Sequence, residues 1–328
     1  MKPKIITIIG SLNTDLVTIT GRLPSGGETL TATSFFTGLG GKGANQAVAC
    51  ARLSQLSPSA ATQSNVTKYI NVKFIGAVGA DEFGPRIISS LTTDGIDTSR
   101  IEVKEGKTTG VAVIIVEEFS GENRILLNPG ANHSLVVDQF EQISSLGTPL
   151  PNIIILQLEI PLSTVLQILR IAKKAEVEVI LNPAPAVVLP AEAYHDLPHL
   201  ILNESEACIL SGRRVSDISR EGFDWKIVIK EFLDKGVRNV TVTLGANGAL
   251  FASNLSDKFT VHHLPAFKVE NVVDTTAAGD TFVGSYALGI AKGEKCMKEV
   301  IRYACLAAAR TIQKRGAQVS IPWSDEVE

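Results

Sequence analysis

Short apolar runs alternate with amphipathic segments along most of the 328-residue chain. The apolar runs are rich in Ile, Val and Leu, and they are "IITIIG" (5–10), "VKFIGAVG" (72–79), "NIIILQLE" (152–159), "VEVILNPA" (177–184), "LILNE" (200–204) and "NVTVTL" (239–244). Between them, "DEFGPRIISSLTTDG" (81–95) and "LSTVLQILRIAKKAE" (162–176) carry apolar residues at helical spacing. Near-continuous apolar strands that alternate with helices indicate a parallel sheet covered on both faces. We therefore predict a doubly wound α/β fold with a mainly parallel central sheet.

Two stretches depart from this alternation, because they contain strand-like runs and turn residues without a helix between them. They are "LVTITGRLPSGGETLTATSFFT" (16–37) and "TTGVAVIIVEEFSGENRILLNPG" (108–130). We predict that they form a small β-sheet lid, inserted at about 12–37 and 107–130 into a single domain spanning 1–328. Residues 54–71 are rich in Ser, Thr and Asn, which predicts an irregular surface insertion, and the polar end "PWSDEVE" is expected to fray.

Composition excludes several classes of partner. Thirty-one basic and 34 acidic residues give a net charge of −3, without the basic cluster that nucleic acid or a membrane surface would require. No apolar run approaches the roughly 20 residues needed to cross a bilayer. The cysteines (Cys50, Cys208, Cys296 and Cys305) lack C-x-x-C spacing, which predicts buried free thiols in a reducing compartment. The default location is the cytoplasm, extending to the nucleus in a eukaryote.

The stretch "TGLGGKGANQ" (37–46) satisfies the dinucleotide pattern G-x-G-x-x-G at Gly38, Gly40 and Gly43. That pattern needs an acidic residue about 20 positions later, and none follows before Asp81. The phosphate-binding P-loop is excluded as well, because Gly43 follows Lys42 where Ser or Thr should bind magnesium. Two interpretations remain open. The glycines present Lys42 and Asn45 to a hydroxyl-rich ligand, or they only connect the lid to the first main helix.

The stretch "VVDTTAAGDTF" (272–282) ends in small residues before a strongly apolar helical run. Ala277, Ala278 and Gly279 allow a ligand to approach their backbone amides, and amides at a helix N-terminus suit a phosphoryl group. Asp280 would then lie beside the reacting phosphate and accept a proton from an attacking hydroxyl. The alternative is that Asp280 merely caps the helix.

Further polar residues follow the ends of predicted strands, where doubly wound folds bind ligands. Asn203 and Glu206 are suited to hold Mg²⁺ through water, or to cap the next helix. The turn "TLGANG" (243–248) either lets a nucleotide approach the backbone or simply closes a hairpin. Asn13, Asp15 and Glu159 also lie just beyond apolar strands. Their convergence at one edge of the sheet indicates a binding site.

With these residues in hand, the chain resembles the ribokinase-like carbohydrate kinase family from "GSLNTDLV" (10–17) to "KRGAQVSIPW" (314–323). "GGKGANQAVA" (40–49) and "DTTAAGDTF" (274–282) are similar to the two signatures of the family, which often has Gly at the position of Ala277. The resemblance implies an enzyme that uses ATP, Mg²⁺ and a monovalent cation, normally K⁺. It also implies a homodimer formed through the lid.

The resemblance also implies a role for individual residues. Asp280 would be the catalytic base, and the amides of Ala277, Ala278, Gly279 and Asp280 would form an anion hole. The sugar would be bound by Asn13, Asp15, Gly41, Lys42, Asn45, Glu159 and Asp280. Nucleotide and magnesium would be held near Asn203, Glu206, Thr243, Gly245, Gly248 and Gly279. The K⁺ positions match Asp274, Thr276, Lys314, Gly316 and Ser320.

The resulting hypothesis is phosphorylation of D-ribose at O5 to give D-ribose 5-phosphate and ADP. Alternative substrates are 2-deoxyribose, fructose and a nucleoside, although an aromatic content of 5% argues mildly against a base-stacking pocket. From other classes, a non-catalytic sugar sensor would be expected to lack the base or the anion hole. A dinucleotide enzyme is disfavoured by the missing acidic residue.

Overall fold

The computed structural model describes residues 3–60, 69–220, 222–255 and 258–327, and within these ranges the chain forms two β-sheets. The larger sheet contains β1 (Lys4–Ile9), β4 (Ile70–Gly79), β5 (Asp97–Lys104), β8 (Ile153–Leu156), β9 (Glu178–Leu181), β10 (His199–Asn203), β11 (Asn239–Thr243), β12 (Ala249–Ser253) and β13 (His262–Leu264). The smaller sheet contains β2 (Asn13–Thr20), β3 (Ser34–Gly40), β6 (Gly110–Glu117) and β7 (Asn123–Asn128).

Helices connect and cover these strands. The α-helices are α1 (Lys42–Arg52), α2 (Phe83–Thr93), α3 (Leu162–Lys174), α4 (Glu204–Leu210), α5 (Trp225–Asp234), α6 (Ala278–Lys292) and α7 (Met297–Thr311). Short 3₁₀ helices span Gly130–Ser134, Val137–Phe140, Ile143–Leu146, Ala191–Ala193, Val215–Ser219, Gly245–Asn247, Gln318–Ser320 and Ser324–Glu326. Among the described residues, no helix has the length and apolar character needed to cross a membrane.

The larger sheet has the strand order β13-β12-β11-β10-β9-β8-β1-β4-β5, and all its strands pair in parallel except β12 and β13. Successive residues of β8 face opposite sides of the sheet. Ile153 and Ile155 belong to the core that includes residues of α1, α6 and α7, whereas Ile154 and Leu156 belong to the core that includes residues of α3 and α5. This two-sided burial explains the continuous apolar runs, and the predicted doubly wound fold is confirmed.

The smaller sheet has the order β3-β2-β6-β7 and is the predicted lid. β2 pairs with β3, and β6 with β7, in antiparallel hairpins, while β2 and β6 join the two hairpins in parallel. The first hairpin lies between β1 and α1, and the second lies between β5 and β8. β3 continues to Gly40, so the lid leads almost directly into α1 at Lys42.

The end of the chain does not fray as predicted. The Asp325 carboxylate accepts hydrogen bonds from the Ser57 amide at 2.6 Å and from the Ser57 hydroxyl at 2.8 Å. Val327 is completely buried in the core that α1, α6 and α7 share. The prediction was wrong because this short, mainly polar stretch includes Val327, whose apolar side chain packs in the core. Glu328 lies outside the described residues.

Two other predictions are confirmed only in part. Of the predicted surface insertion at 54–71, residues 61–68 lie outside the described residues, and Ser57 is buried against the chain end. The four cysteines are free, as predicted, but only Cys50 and Cys208 are buried. Cys305 is half-buried, and Cys296 is exposed because it lies at the start of α7.

Candidate active site

The glycine-rich start of α1 brings backbone segments into close contact. Gly41 has a φ of 88°, a conformation that L side chains rarely adopt. A Cβ atom added to Gly43 would approach the amide nitrogen of Ser11 to 2.6 Å, so α1 can lie against the loop after β1 only with glycine here. The glycines therefore do connect the lid to the helix, as one interpretation of the sequence proposed. The same geometry also places Lys42 and Asn45 beside the acidic groups described next.

Glu159 lies in the segment after β8 and is hydrogen-bonded to the segments that follow β1 and β3. Its Oε2 atom accepts hydrogen bonds from the Ser11 hydroxyl at 2.6 Å, the Lys42 amide at 3.1 Å and Asn13 Nδ2 at 3.3 Å. One carboxylate thus holds Asn13 and Lys42, two of the residues predicted to bind sugar, in fixed relation to each other.

The charges in this region are predominantly negative. Burial opposes the charged form of Lys42, but the carboxylates of Asp280, Glu159 and Glu206 raise its pKa above the ordinary value. The pKa of Asp15 is raised to about 7, first by burial and then by Glu159 and Asp280. Among the described residues, no donor pairs with the Asp15 carboxylate. It is therefore available to accept hydrogen bonds from the hydroxyl groups of a ligand.

Asp280 is the third residue of α6 and is buried. Its Oδ2 atom accepts a hydrogen bond from Asn45 Nδ2 at 2.9 Å, and its Oδ1 atom accepts one from Gln46 Nε2 at 3.0 Å. Burial raises the pKa of Asp280, while Lys42 and the two amide donors oppose that rise. The residue at the N-cap position is Ala277, so the alternative that Asp280 merely caps its helix is wrong.

The first turn of α6 leaves backbone N–H groups available, because the first amides of a helix have no intrahelical partner. Ala277 has a φ of 62° and makes the sharp entry into the helix, and the Ala278 amide donates to the Thr275 carbonyl at 3.3 Å. A Cβ atom added to Gly279 would meet no described residue within 4 Å outside its own stretch of helix. The backbone at Gly279, the residue before the buried Asp280, therefore borders open space.

Asn203 and Glu206 form the capping arrangement that was one of the two interpretations of their sequence. Asn203 Oδ1 accepts from the Glu206 amide at 2.8 Å, and Glu206 Oε2 accepts from the Asn203 amide at 2.8 Å. Glu206 nevertheless belongs to the same electrostatic environment as the residues above. Burial raises its pKa, Asp280 adds to the rise, and Lys42 opposes it. A cation near Glu206 would relieve this accumulation of negative charge.

The turn from Thr243 to Gly248 closes the β11–β12 hairpin, with the Leu244 amide donating to the Gly248 carbonyl at 2.7 Å. Its two glycines differ. Gly248 packs against the backbone at the end of β13, whereas a Cβ atom on Gly245 would meet none of the described residues within 4 Å. The hairpin interpretation thus describes the turn, and Gly245 borders open space.

The residues proposed for K⁺ lie in two segments that the Asp274 carboxylate holds together. Its Oδ1 atom accepts from the amide and hydroxyl of Thr276 at 2.9 and 2.6 Å, and its Oδ2 atom accepts from the Gly316 amide at 2.9 Å. Ser320 lies four residues further on, and its hydroxyl donates to the Ala317 carbonyl at 2.7 Å. The side chain of Lys314 instead forms an ion pair with Glu326 at 3.1 Å. Lys314 would therefore contribute only its carbonyl to a cation.

Sequence reasoning missed several polar residues that contact this site, and among them are Ser11, Gln46, Gln157 and Asn182. Ser11 lies in the loop after β1, two residues before Asn13, and Gln46 lies in α1, directly after Asn45. Gln157 and Asn182 directly follow the apolar strands β8 and β9. The same signal that identified Glu159, a polar residue just beyond an apolar strand, would have identified these two as well.

Comparison with known proteins gives matches along nearly the whole chain. The model of the pfkB family carbohydrate kinase matches residues 4–324. A ribokinase of Schizosaccharomyces pombe is 42% identical over 326 residues, covering 98% of this chain and 96% of the relative. A deoxyribokinase of Salmonella typhi is 35% identical over 319 residues, covering 97% and 95%. The structure of Arabidopsis thaliana ribokinase complexed with ribose and ATP matches with a TM-score of 0.83 and 29% identity, covering 100% and 98%.

Proposed function

The chain belongs to the pfkB family of carbohydrate kinases and is a phosphotransferase, and from this premise we propose that it phosphorylates D-ribose. The γ-phosphoryl group of ATP is transferred to O5, giving D-ribose 5-phosphate and ADP. The observation that carries the proposal is the buried Asp280 carboxylate, which lies beside the open backbone of Gly279 and is hydrogen-bonded to α1.

In this proposal, Asp280 takes the proton of the attacking hydroxyl. Because burial raises its pKa, Asp280 is a stronger base than an exposed aspartate, and a rise in pKa makes a carboxylate a more effective general base. The sugar is held by the residues around it: Asn13, Asp15, Gly41, Lys42, Asn45 and Glu159. Their mixture of donors and acceptors, with only one cation, suits a polyol better than an anionic substrate.

The transferred phosphoryl group is received at the start of α6. Ala277, Ala278 and Gly279 are small, so the backbone amides of Gly279 and Asp280 can approach the group closely. Phosphoryl transfer depends mainly on positioning and charge stabilisation, which such amides supply. ATP approaches along Asn203, Thr243, Gly245 and Gly248, where Gly245 borders open space.

We propose two cations for the reaction. Bound Mg²⁺ neutralises phosphate charge, and Glu206 would hold it through water, in line with the preference of Mg²⁺ for waters and few carboxylates. A K⁺ ion would be held near the anion hole by Asp274, Thr276, Lys314, Gly316 and Ser320. The hydrogen bond from the Gly316 amide to Asp274 holds the two segments of that site together.

The proposed substrate rests on the relatives. The Schizosaccharomyces pombe and Arabidopsis thaliana relatives are named for ribose, whereas the Salmonella typhi relative is named for deoxyribose. Deoxyribose is thus the strongest alternative, followed by fructose or a nucleoside. Since the chain is a phosphotransferase, the sensor and dinucleotide alternatives are set aside.

We further propose a homodimer formed through the lid of a single domain spanning 1–328. β7 is an edge strand of the smaller sheet, and its apolar residues Ile125 and Leu126 are 56% and 68% exposed. Phe35 of β3 is 62% exposed on the opposite edge strand. Apolar side chains on unpaired edges favour association.

We propose a cytoplasmic location, consistent with free cysteines, and no nucleic-acid or membrane partner.

A coupled assay of ADP release tests the proposal with D-ribose, 2-deoxyribose, D-fructose and a nucleoside, each with and without K⁺. We expect the highest kcat/KM with D-ribose, stimulation by K⁺, and phosphorylation at O5 in the NMR spectrum of the product. A higher kcat/KM with deoxyribose would replace the substrate but keep the reaction. No ADP release with any of these sugars would refute the proposed activity.

A further inference from the structure

Three buried amide side chains form a connected group beneath Asp280. Gln46 lies in α1, Gln157 follows β8 and Asn182 follows β9, so the group joins three elements that are distant in sequence. Gln46 and Gln157 are completely buried, and Asn182 is 9% exposed. Buried polar groups of this kind are costly unless their hydrogen bonds are made.

The amide orientation within this group is determined by a backbone carbonyl of β10. The Ile201 carbonyl can only accept, so it requires the Nδ2 atom of Asn182, which lies 3.0 Å away. The Oδ1 atom of Asn182 then faces Gln46 and accepts from Gln46 Nε2 at 3.1 Å. On the other side, Gln46 Oε1 accepts from Gln157 Nε2 at 2.6 Å. Gln46 therefore has one orientation, with its NH₂ group toward Asn182 and Asp280.

The second N–H of Gln46 donates to Asp280 Oδ1 at 3.0 Å, so both donors of this amide are used. Asn45, the other donor to Asp280, differs in one respect. Its Oδ1 atom is buried without a partner among the described residues, so only the hydrogen bond to Asp280 itself determines how its amide is turned. Gln46 is consequently the donor to Asp280 whose direction the surrounding protein enforces.

Charged groups face Asp280 from four other parts of the fold. They are Lys42 at the start of α1, Asp15 in β2, Glu159 beyond β8 and Glu206 in α4. Three of the four are acidic and favour protonation of Asp280, and Lys42 is also predicted to bind the sugar. The Gln46 donor is neutral and belongs to the protein interior, so its contribution does not depend on an occupied site.

We propose that Gln46 is a positioning residue for the base, and that the Gln157–Gln46–Asn182 group holds the Asp280 carboxylate ionised and correctly oriented for proton abstraction. This inference rests on the proposed function, since it concerns the same reaction. Gln46 itself contacts neither sugar nor nucleotide in the proposal. Its removal should therefore affect kcat and the pH dependence of kcat, with little change in the KM for ribose.

The test is Gln46→Met, which keeps an unbranched side chain of similar length and removes the donor. Without the donor, the carboxylate is no longer held in one orientation and a larger fraction of it is protonated, so kcat at neutral pH should fall about 10-fold to 100-fold. Without the donor, the carboxylate is less stable and its pKa rises, so the acidic limb of the pH profile of kcat should move upward by about one pH unit. Both quantities are measured by ADP release from pH 5 to pH 9.

The matched control is Gln167→Met, because Gln167 is a buried glutamine of α3 that donates to the Phe140 carbonyl at 2.8 Å, away from Asp280. It should lower the melting temperature without moving the acidic limb. A second variant, Gln157→Met, leaves Gln46 in place but removes the partner of its Oε1 atom. It should move the limb in the same direction by a smaller amount, and it tests the inference even when Gln46→Met fails to fold.

The outcomes separate the inference from the activity on which it rests. A wild-type protein without sugar kinase activity refutes the proposed function. An active wild-type protein whose folded Gln46→Met or Gln157→Met variant keeps the wild-type acidic limb refutes only the role of Gln46. If Gln46→Met and Gln167→Met lower kcat equally and neither moves the acidic limb of the pH profile, Gln46 has only a structural role.

Discussion

Two helix starts that are rich in small residues lie at the candidate active site, and they differ in what these residues accommodate. α1 follows Gly41, with a φ of 88°, and α6 follows Ala277, with a φ of 62°. Within the described residues, neither start has a capping side chain. At α1 the space beside Gly43 is filled by the backbone of Ser11, whereas a Cβ atom added to Gly279 would meet no described residue within 4 Å outside its own stretch of helix.

The comparison teaches that similar sequence composition serves two purposes here. The start of α1 uses glycine so that backbone can pack on backbone, which holds Asn45 and Gln46 in place. The start of α6 leaves open space beside Gly279, and under the proposed function a ligand approaches the amides there, at the positive end of the helix dipole. Asp280 connects the two, because it belongs to α6 and accepts its hydrogen bonds from α1.

The largest effect is expected from Asp280→Asn, which removes the group that connects the two helix starts. Turnover should fall by about 10²-fold to 10⁴-fold, the usual contribution of a general base. The fold and ribose binding should be retained, because Asn45 can turn its amide to face the new NH₂ group. The measurements are ADP release, thermal unfolding and calorimetric binding of ribose.

Asp224→Asn is the control for that variant, because Asp224 caps α5 on the surface through the Lys226 amide and should tolerate the change with full turnover. Near-normal turnover of Asp280→Asn would contradict the assignment of the base.

A pair of glycine variants tests the difference between the two starts directly. Gly279→Ala should fold with nearly unchanged stability but lose roughly 100-fold in kcat, because its methyl group enters the space proposed for the phosphoryl group. Gly43→Ala should instead cost about 1–3 kcal/mol of stability, because its methyl group collides with Ser11. Thermal unfolding measures the stability of both variants, and ADP release measures their kcat. Equal loss of stability in the two would show that the starts do not differ.

A smaller effect is expected from Asp15→Asn, on the side of α1. The folded protein raises the pKa of Asp15 from an ordinary 3.8 to about 7, so between these values the folded state binds more protons than the unfolded state. Stability from this group is therefore present below about pH 4 and is lost as the pH rises toward 7. The amide that replaces the carboxyl group does not titrate, so the variant should lose less stability than the wild type between pH 4 and pH 8.

Unfolding in urea at pH 4, 6 and 8 measures this difference. Glu206 and Asp280 also have raised pKa values, so the free energy of unfolding of the variant should still decrease somewhat as the pH rises. If the free energy of unfolding changes equally with pH in the two proteins, Asp15 is not the group that causes the loss of stability. A raised KM for ribose is expected in the same variant, because Asp15 is proposed to bind the sugar.

Local sequence determined most of the architecture. The continuous apolar runs around β1, β4 and β8 predict buried parallel strands, because a strand covered on both faces needs apolar residues at every position. The two helix-free stretches likewise predict the hairpins of the lid. Polar residues just beyond the strands, such as Asn13 and Glu159, could be assigned to one edge of the sheet, since parallel strands end on the same side.

Only the tertiary structure decided which glycine is packed and which is open, and how the base is held. Gln46 and Asp280 are 234 residues apart, and Gln46 and Asn182 are 136 residues apart, so no local pattern connects them. The burial of Val327 could not be predicted locally either, because an isolated apolar side chain is buried only if the folded core has space for it. Periodicity reports which face of an element is buried, whereas hydrogen bonds between distant elements depend on how those faces meet.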